Sequence, residues 1–296
     1  MPERVLVIGK NGQLGQSLKK VAAGYTHLAL EFVGRDELDL ASPDAVRRFF
    51  AGAPHYTAII NAAAYTAVDK AETEPELADR VNHQAVRELA DLARVQGAFL
   101  LHVSTDYVFD GKSHRPWIET DRVGPVNEYG RSKLAGEQAM LASGCRGAII
   151  RTSWVYSEFG NNFVKTMLRL GRERGELGVI FDQVGTPTYA PDLAGALLGF
   201  LDGTAKSGGD EYQAGVEFYH YSNEGVCSWY DFALSIFELS AMDCRVKPIE
   251  TSNYPTPAAR PLYSLLNKSK IRQHLDVEVP YWRDSLKVCL SELKST

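Results

Sequence analysis

RVLVIGKNGQLGQSLKKVAA, residues 4–23, starts as an apolar run, turns through three glycines and ends with helical spacing. A strand that is apolar throughout, without polar alternation, suits a parallel sheet covered by helices on both faces. The turn GKNGQLG places glycines at 9, 12 and 15, a G-x-x-G-x-x-G spacing in place of the commoner G-x-G-x-x-G. A strand, a glycine-lined turn and a helix form an anion site, because N–H groups at the helix N-terminus face outward and the helix dipole favours negative charge. Gly9 then permits the tight turn, Gly12 lets a pyrophosphate approach the backbone, and Gly15 lets helix and strand pack closely.

The same rhythm continues beyond that stretch. Apolar runs at 28–34, 57–64, 98–104 and 147–153 alternate with helix-like segments at 42–51, 75–97 and after residue 127. Ser42 before Pro43 is a good helix start, a capping hydroxyl ahead of a residue whose missing N–H costs nothing there. Strand–helix alternation with short connections gives right-handed βαβ units, so the expected class is α/β, a doubly wound parallel sheet of Rossmann type. Its ligand crevice lies at the carboxyl ends of the strands. After residue 154 the rhythm loosens: a helix is expected at 161–175, a strand at 178–183, a helix at 190–201, a loop at 203–215, a strand at 217–222 and a helix at 229–240. The tail NYPTPAARPLY (253–263) has too many prolines for regular helix or central strand. These features predict a dinucleotide-binding domain over 1–150, joined by returning segments near 178–203. A smaller α/β lobe, mainly 151–177 and 204–296, is expected to bind substrate.

Composition narrows the function classes. The 296 residues are 45% hydrophobic and 23% charged, as in an ordinary globular protein, with a net charge of −5 that argues against nucleic-acid binding. There is no apolar segment near ~20 residues to span a membrane. The N-terminal MPERVLVIG enters a strand at once, leaving no room for a signal peptide, so a cytoplasmic protein is expected. Cys145, Cys227, Cys244 and Cys289 are isolated, without a C-x-x-C or nearby His at ligand spacing, so neither a disulfide framework nor a metal site is expected.

The second strand ends FVGRDELDL. An acidic residue there would bind a ribose 2′-hydroxyl, whereas an arginine suits a 2′-phosphate. Arg35 stands at that place and favours NADPH, while Asp36 and Asp39 keep NADH open as an alternative. Asp39 and Leu40 are expected to line the adenine pocket. The alanines of NAAAYTAVDKAE can lie flat against a ligand or serve close packing of strand to helix.

Strand four ends HVSTDYVFDG, which puts Ser104, Thr105 and Asp106 at the ligand rim. The helix of NEYGRSKLAGE follows, with Tyr129 and Lys133 on one face at i and i+4. A free phenol has a pKa near ~10. A neighbouring ammonium is expected to lower it, so Tyr129 can donate a proton to a carbonyl oxygen as hydride arrives at carbon, with Thr105 sharing the hydrogen bond. Lys133 can also hold the ribose hydroxyls of a nicotinamide cofactor. In PAARP, Arg260 suits the diphosphate of a substrate.

The glycine motif, the Ser/Thr after strand four and Tyr-x-x-x-Lys together resemble the extended short-chain dehydrogenase/reductases. NAAAYTAVDKAE, VSTDYVFDG, NEYGRSKLAGE, RTSWVY, GNNFVKTMLRL, DQVGTPT and YPTPAARP closely resemble the dTDP-4-dehydrorhamnose reductase branch of them, over nearly the whole chain. That resemblance implies hydride transfer from NAD(P)H to C4 of a dTDP-4-keto-6-deoxy sugar, giving dTDP-L-rhamnose, with Tyr129 as proton donor. It places Gly12, Gln13 and Leu14 on the pyrophosphate, and Ala62, Ala63, Ala64 and Thr66 along the cofactor trough. It places Thr105, Asp106 and Trp154 on the sugar or its nucleotide. Some members dimerise through magnesium held by glutamates. Here Gln16 and Ser17 follow the glycine motif, and Pro191 and Asp192 fill the second region, so a monomer or weak homodimer without metal is expected. Two other readings stay open: a sugar-nucleotide epimerase or dehydratase of the same family, and a non-catalytic dinucleotide-binding regulatory subunit.

Overall fold

The computed structural model describes residues 3–206 and 215–295. The first half runs β1 (Glu3–Ile8), α1 (Gln13–Val21), β2 (Leu28–Val33), α2 (Pro43–Gly52), β3 (Ala58–Asn61), α3 (Val68–Ala71), α4 (Pro75–Asp79), a π-helical turn (Arg80–Gln84), α5 (Ala85–Gln96), β4 (Phe99–Thr105), α6 (Glu128–Ala142) and β5 (Arg146–Thr152). The second half adds β6 (Val155–Tyr156), α7 (Phe163–Glu173), β7 (Glu176–Ile180), β8 (Val184–Gly185), β9 (Thr188–Tyr189), α8 (Ala190–Lys206), β10 (Val216–His220), β11 (Cys227–Ser228), α9 (Trp229–Leu239), β12 (Arg245–Ile249), α10 (Ser269–Leu275) and α11 (Trp282–Ser295).

Six parallel strands form the central sheet in the order β10-β5-β4-β3-β1-β2. Alternation along β1 shows why the sheet is covered twice. Val5 and Val7 face Leu14 and Leu18 of α1 and Leu193 and Leu197 of α8, while Leu6 and Ile8 face Val46 and Phe50 of α2 and Leu89 and Ala93 of α5. The chain leaves β1 for β2 on one side and returns to β3 on the other. That reversal opens a crevice above the carboxyl ends of β1 and β3.

Helix α6 is docked by small and polar residues. A Cβ on Gly130 would sit 2.3 Å from the Tyr107 carbonyl oxygen, and one on Gly136 would sit 2.1 Å from that of Asn82. Farther along, Glu137 is fully buried and accepts from Arg151 Nε at 2.9 Å, from Arg151 Nη2 at 2.7 Å and from Ser104 Oγ at 2.6 Å. The Arg151 guanidinium also lies over the Phe218 ring, 4.5 Å from its centroid. This group ties α6, β4, β5 and β10 together.

The smaller lobe has its own core of Val164, Met167, Leu177, Phe232, Ile236, Val246 and Leu286. The partition between central sheet and lobe differs from the expected one at two strands. The strand expected at 178–183 lies at Glu176–Ile180 and pairs with β12, not with the central sheet, because Leu177 and Val179 face the lobe core. Residues 216–220, expected in the lobe, form β10 and complete the central sheet beside β5. The loop expected at 203–215 is also shorter, since α8 continues to Lys206; residues 207–214 lie outside the described residues. The proline-rich tail forms no strand or α-helix between 254 and 263, in keeping with its composition.

Replacing Arg151 with Met leaves the Glu137 carboxylate buried without its partner. The expected loss of stability is about 3–5 kcal/mol, read as a lower urea midpoint at unchanged slope.

Candidate functional site

A cleft of about 760 Å³ runs across the carboxyl ends of the central strands. One end is the glycine turn. Gly9 has φ +102, and a Cβ there would meet the Ala63 nitrogen at 2.9 Å; a Cβ on Gly15 would lie 2.1 Å from the Gly9 carbonyl oxygen. Both positions therefore require glycine, Gly9 for its backbone and Gly15 for helix–strand contact. Gly12 caps α1 and offers no side-chain acceptor to the first-turn N–H groups. Gly12, Gln13 and Leu14 line the cleft. This cradle fits a diphosphate.

Beyond it the cleft is lined by Arg35, Asp39 and Leu40, then by Ala62, Ala63, Ala64 and Thr66. Arg35 is largely exposed and its Nε lies 3.4 Å from Asp39 Oδ1, which also accepts from the Ala41 N–H at 3.0 Å. Its guanidinium thus retains donors at the rim. The alanines follow the end of β3, where any larger side chain would narrow the trough. Sequence reasoning overlooked a second cation here: Lys10 is ion-paired to Glu37, and its side chain lies against Gly34.

The other wall carries Thr105, Asp106, Tyr129, Lys133 and Trp154. Asn127 starts the helix that brings Tyr129 and Lys133 there: its Oδ1 accepts from Gly130 N–H at 2.8 Å and its Nδ2 donates to the Ala259 carbonyl at 2.7 Å. Thr105 is the hydroxyl neighbour that acts on the Tyr129 phenol and favours its ionised form. Thr105 Oγ1 in turn donates to Asp106 Oδ1 at 3.1 Å. Burial pushes the Asp106 carboxyl up to about 6, against the opposing pull of Ser264 and Thr105, and among the described residues its Oδ2 has no hydrogen-bond partner.

The expected lowering of the Tyr129 pKa is not met. Burial pushes this phenol up to about 12, with Thr105 pulling the other way and Asp106 adding to the rise. Lys133 is turned inward, donating to the Val103 carbonyl at 2.8 Å, and burial brings its ammonium down to about 8. The i, i+4 spacing puts both residues on one cleft wall, but the lysine contacts the sheet, not the phenol.

Trp154 lies just beyond β5 with φ +50, a conformation that costs about 1–3 kcal/mol for such a residue. Its ring stacks on Trp229 at 3.7 Å and 14°. Arg260 departs from expectation. It does not line the cleft; its Nη2 donates to Asp69 Oδ2 at 2.8 Å and its Nη1 to the Ala258 carbonyl at 3.2 Å. Also missed from sequence was the tie between lobes through Gln13, whose Oε1 accepts from Ser157 Oγ at 3.0 Å and Asn162 Nδ2 at 2.9 Å. Among the described residues there is no group of three or more His, Cys, Asp or Glu able to hold a metal ion, and no helix long and apolar enough to cross a membrane.

The family model for the RmlD substrate binding domain matches residues 3–295. A dTDP-4-dehydrorhamnose reductase of Aggregatibacter actinomycetemcomitans is 42% identical over 96% of this chain and 97% of its own. This chain belongs to the dTDP-4-dehydrorhamnose reductase family. The Escherichia coli (strain K12) member is 41% identical over 99% of this chain and 98% of its own. Among solved family structures, the reductase of Clostridium acetobutylicum superposes with a TM-score of 0.89 at 39% identity, covering 98% of this chain and 99% of that one. The Bacillus anthracis reductase, solved in complex with NADP, gives a TM-score of 0.89 at 37% identity, covering 99% and 100%. The family fold is thus the Rossmann-type sheet read from the sequence.

Asp106 generates a pH prediction. A carboxyl raised by burial contributes its stability below the unfolded value near ~4 and loses it as pH rises through about 6. Asp106→Asn removes that titration. Relative to its own value at pH ~4, the variant is expected to gain about 2–3 kcal/mol on the wild type by pH ~7, measured by urea unfolding across that range.

Proposed function

We infer that this chain is an NADPH-dependent oxidoreductase that reduces the C4 keto group of dTDP-4-dehydro-6-deoxy-L-mannose to give dTDP-L-rhamnose. The observation that carries the reading is convergence: one cleft joins a glycine cradle fit for a diphosphate to the Thr105–Tyr129–Lys133 wall. The nicotinamide cofactor supplies the hydride when bound. In this proposal the backbone around Gly9, Gly12, Gln13, Leu14 and Gly15 holds its diphosphate. Arg35 takes the 2′-phosphate, Asp39 and Leu40 the adenosine end, and Ala62, Ala63, Ala64 and Thr66 the trough, with NADH as a poorer alternative. Lys133 holds ribose hydroxyls beside Tyr129.

On the substrate side, Thr105 orients the C4 oxygen and Tyr129 gives it a proton. A phenol pushed up to about 12 is protonated at neutral pH, the state a donor needs. Asp106 and Trp154 border the space for the sugar and its nucleotide. Arg260 reaches a substrate diphosphate only by exchanging Asp69 for it. Guanidinium pairs well with either group, so the exchange conserves the charge contact.

Asp106 next to Thr105 is also the acid a sugar-nucleotide dehydratase would want. The two readings differ in cofactor balance, since only a reductase consumes NADPH stoichiometrically. We place the protein in the cytoplasm, where its four free cysteines would stay reduced. We read it as a monomer or weak homodimer: Gln16 donates to the Asn11 carbonyl, and Asp192 spends its carboxylate on Asn223 and Ser285.

With dTDP-4-dehydro-6-deoxy-L-mannose, purified protein is expected to oxidise NADPH, followed by absorbance. Tyr129→Phe should lower kcat at least ~100-fold with NADPH affinity nearly unchanged; wild-type turnover in that variant would remove Tyr129 from the mechanism. Arg35→Ala should weaken NADPH about tenfold, ~1.4 kcal/mol, and leave NADH almost untouched. Equal losses for the two cofactors, measured by fluorescence titration, would mean that Arg35 does not read the 2′-phosphate.

A further inference from the structure

Behind Lys133, on the side away from the cleft, the sheet holds a polar chain that the reaction described above does not use. His102 of β4 is fully buried. Its Nδ1 lies 3.1 Å from Asn61 Nδ2 of the neighbouring strand, and its Nε2 lies 3.4 Å from Lys133 Nζ. The orientation of the Asn61 amide is fixed from its other end, because Oδ1 accepts from the Ala63 N–H at 3.2 Å. That leaves the Asn61 NH₂ group facing the imidazole. A donor at this place requires Nδ1 to be the acceptor, so the neutral ring carries its proton on Nε2. Burial, followed by the charge of Lys133, holds the imidazole well below its ordinary range, so the ring stays neutral.

We propose that His102 is a positioning residue for Lys133: pinned by Asn61, it aims an Nε2–H at Nζ, seats the lysine against the Val103 carbonyl and disfavours its charged form. The physics is one of hydrogen-bond polarity. An ammonium has only donors and meets the imidazole N–H proton to proton, whereas an uncharged amine offers a lone pair that the N–H can reach. The Val103 carbonyl accepts from either form. Lys133 thus sits between an acceptor that tolerates both states and a donor that prefers one. Its other charged and titratable neighbours bear on the same balance. Glu137, one turn farther along α6, favours the ammonium but is engaged by Arg151 of β5 and Ser104 of β4. Tyr129 lies one turn back on α6, and Asp106 follows directly on the end of β4.

This inference rests on the reductase reading only for its consequence. An ammonium beside the cleft favours proton release from the Tyr129 phenol, so a lysine poised to lose its charge sets the alkaline limit of the reaction.

The test reads Lys133 directly, apart from turnover. Protein labelled with ¹³C at lysine Cε is titrated by NMR, the Lys133 signal being assigned through Lys133→Arg. In the wild type it should titrate near 8. His102→Gln keeps much of the volume and lets a carbonyl turn to the ammonium; Asn61→Ala removes the pin and frees the imidazole to present a lone pair. Each should move the midpoint upward by about one pH unit, a tenfold change in proton affinity, and the alkaline limb of kcat/KM should follow. A midpoint unmoved in either folded variant overturns the proposal, as does a wild-type lysine titrating at its ordinary value. Should His102→Gln fail to fold, Asn61→Ala decides alone. Absence of NADPH oxidation by the wild type would instead count against the reductase reading and leave the NMR result to stand.

Discussion

The close approach of α6 to the sheet is the constraint on which the site depends. That helix carries Tyr129 and Lys133, and it packs without a continuous apolar stripe. Its buried positions are Gly130, Ser132, Lys133, Gly136 and Glu137, with the apolar Ala139 and Met140 only in the last turn. Two of them must be glycine because backbone oxygens lie where a Cβ would go. Others are polar and must find partners inside. Hydrophobic burial is non-directional and tolerates rotation of a helix about its axis. Glu137 held by Arg151 and Ser104 does not, since its hydrogen bonds are lost when the helix turns. A buried ion pair adds little net stability compared with apolar packing. Its use here is to set the angular position of the phenol and the amine.

The two walls of the cleft are built on different principles. The dinucleotide side is backbone: a positive φ at Gly9, a tight contact at Gly15 and alanines that keep out of the way. The reactive side is a set of side chains whose ionisation is shifted by burial. Asp106 and Tyr129 move up, Lys133 moves down, and each shift favours the uncharged form. A site of this kind suits transfer of a proton between neutral groups as a keto oxygen gains charge.

Much of this was legible in the chain. The glycine spacing after an apolar run identifies both the first βα turn and the ligand end of the sheet. The Tyr-x-x-x-Lys spacing identifies the face of α6. What was not legible depends on contacts between distant segments. Leu177 and Val179 look like residues of any strand, and only the β12 partner far along the chain puts them in the lobe. Arg260 reads as an available cation until Asp69 is found beside it. The inward turn of Lys133 follows from the Val103 carbonyl and His102, neither of which carries a motif. Helical spacing tells which way a side chain leaves the backbone, but its final partner is chosen by the surroundings.

The π-helical turn at Arg80–Gln84 has a consequence for how the chain can vary. It carries Asn82, whose Oδ1 accepts from the Tyr65 N–H at 2.9 Å and whose Nδ2 donates to the Tyr65 carbonyl at 3.0 Å and to Ser132 Oγ at 3.0 Å. The loop leaving β3 and the helix bearing the phenol are thus both hung on one amide. Deleting one residue here would give a more regular helix by local criteria, yet it would swing that amide by about 100°. Loop and helix would then lose their common anchor. In this segment the number of residues is under tighter restraint than the identity of most of them, and a length change that improves the helix would dismantle the cleft.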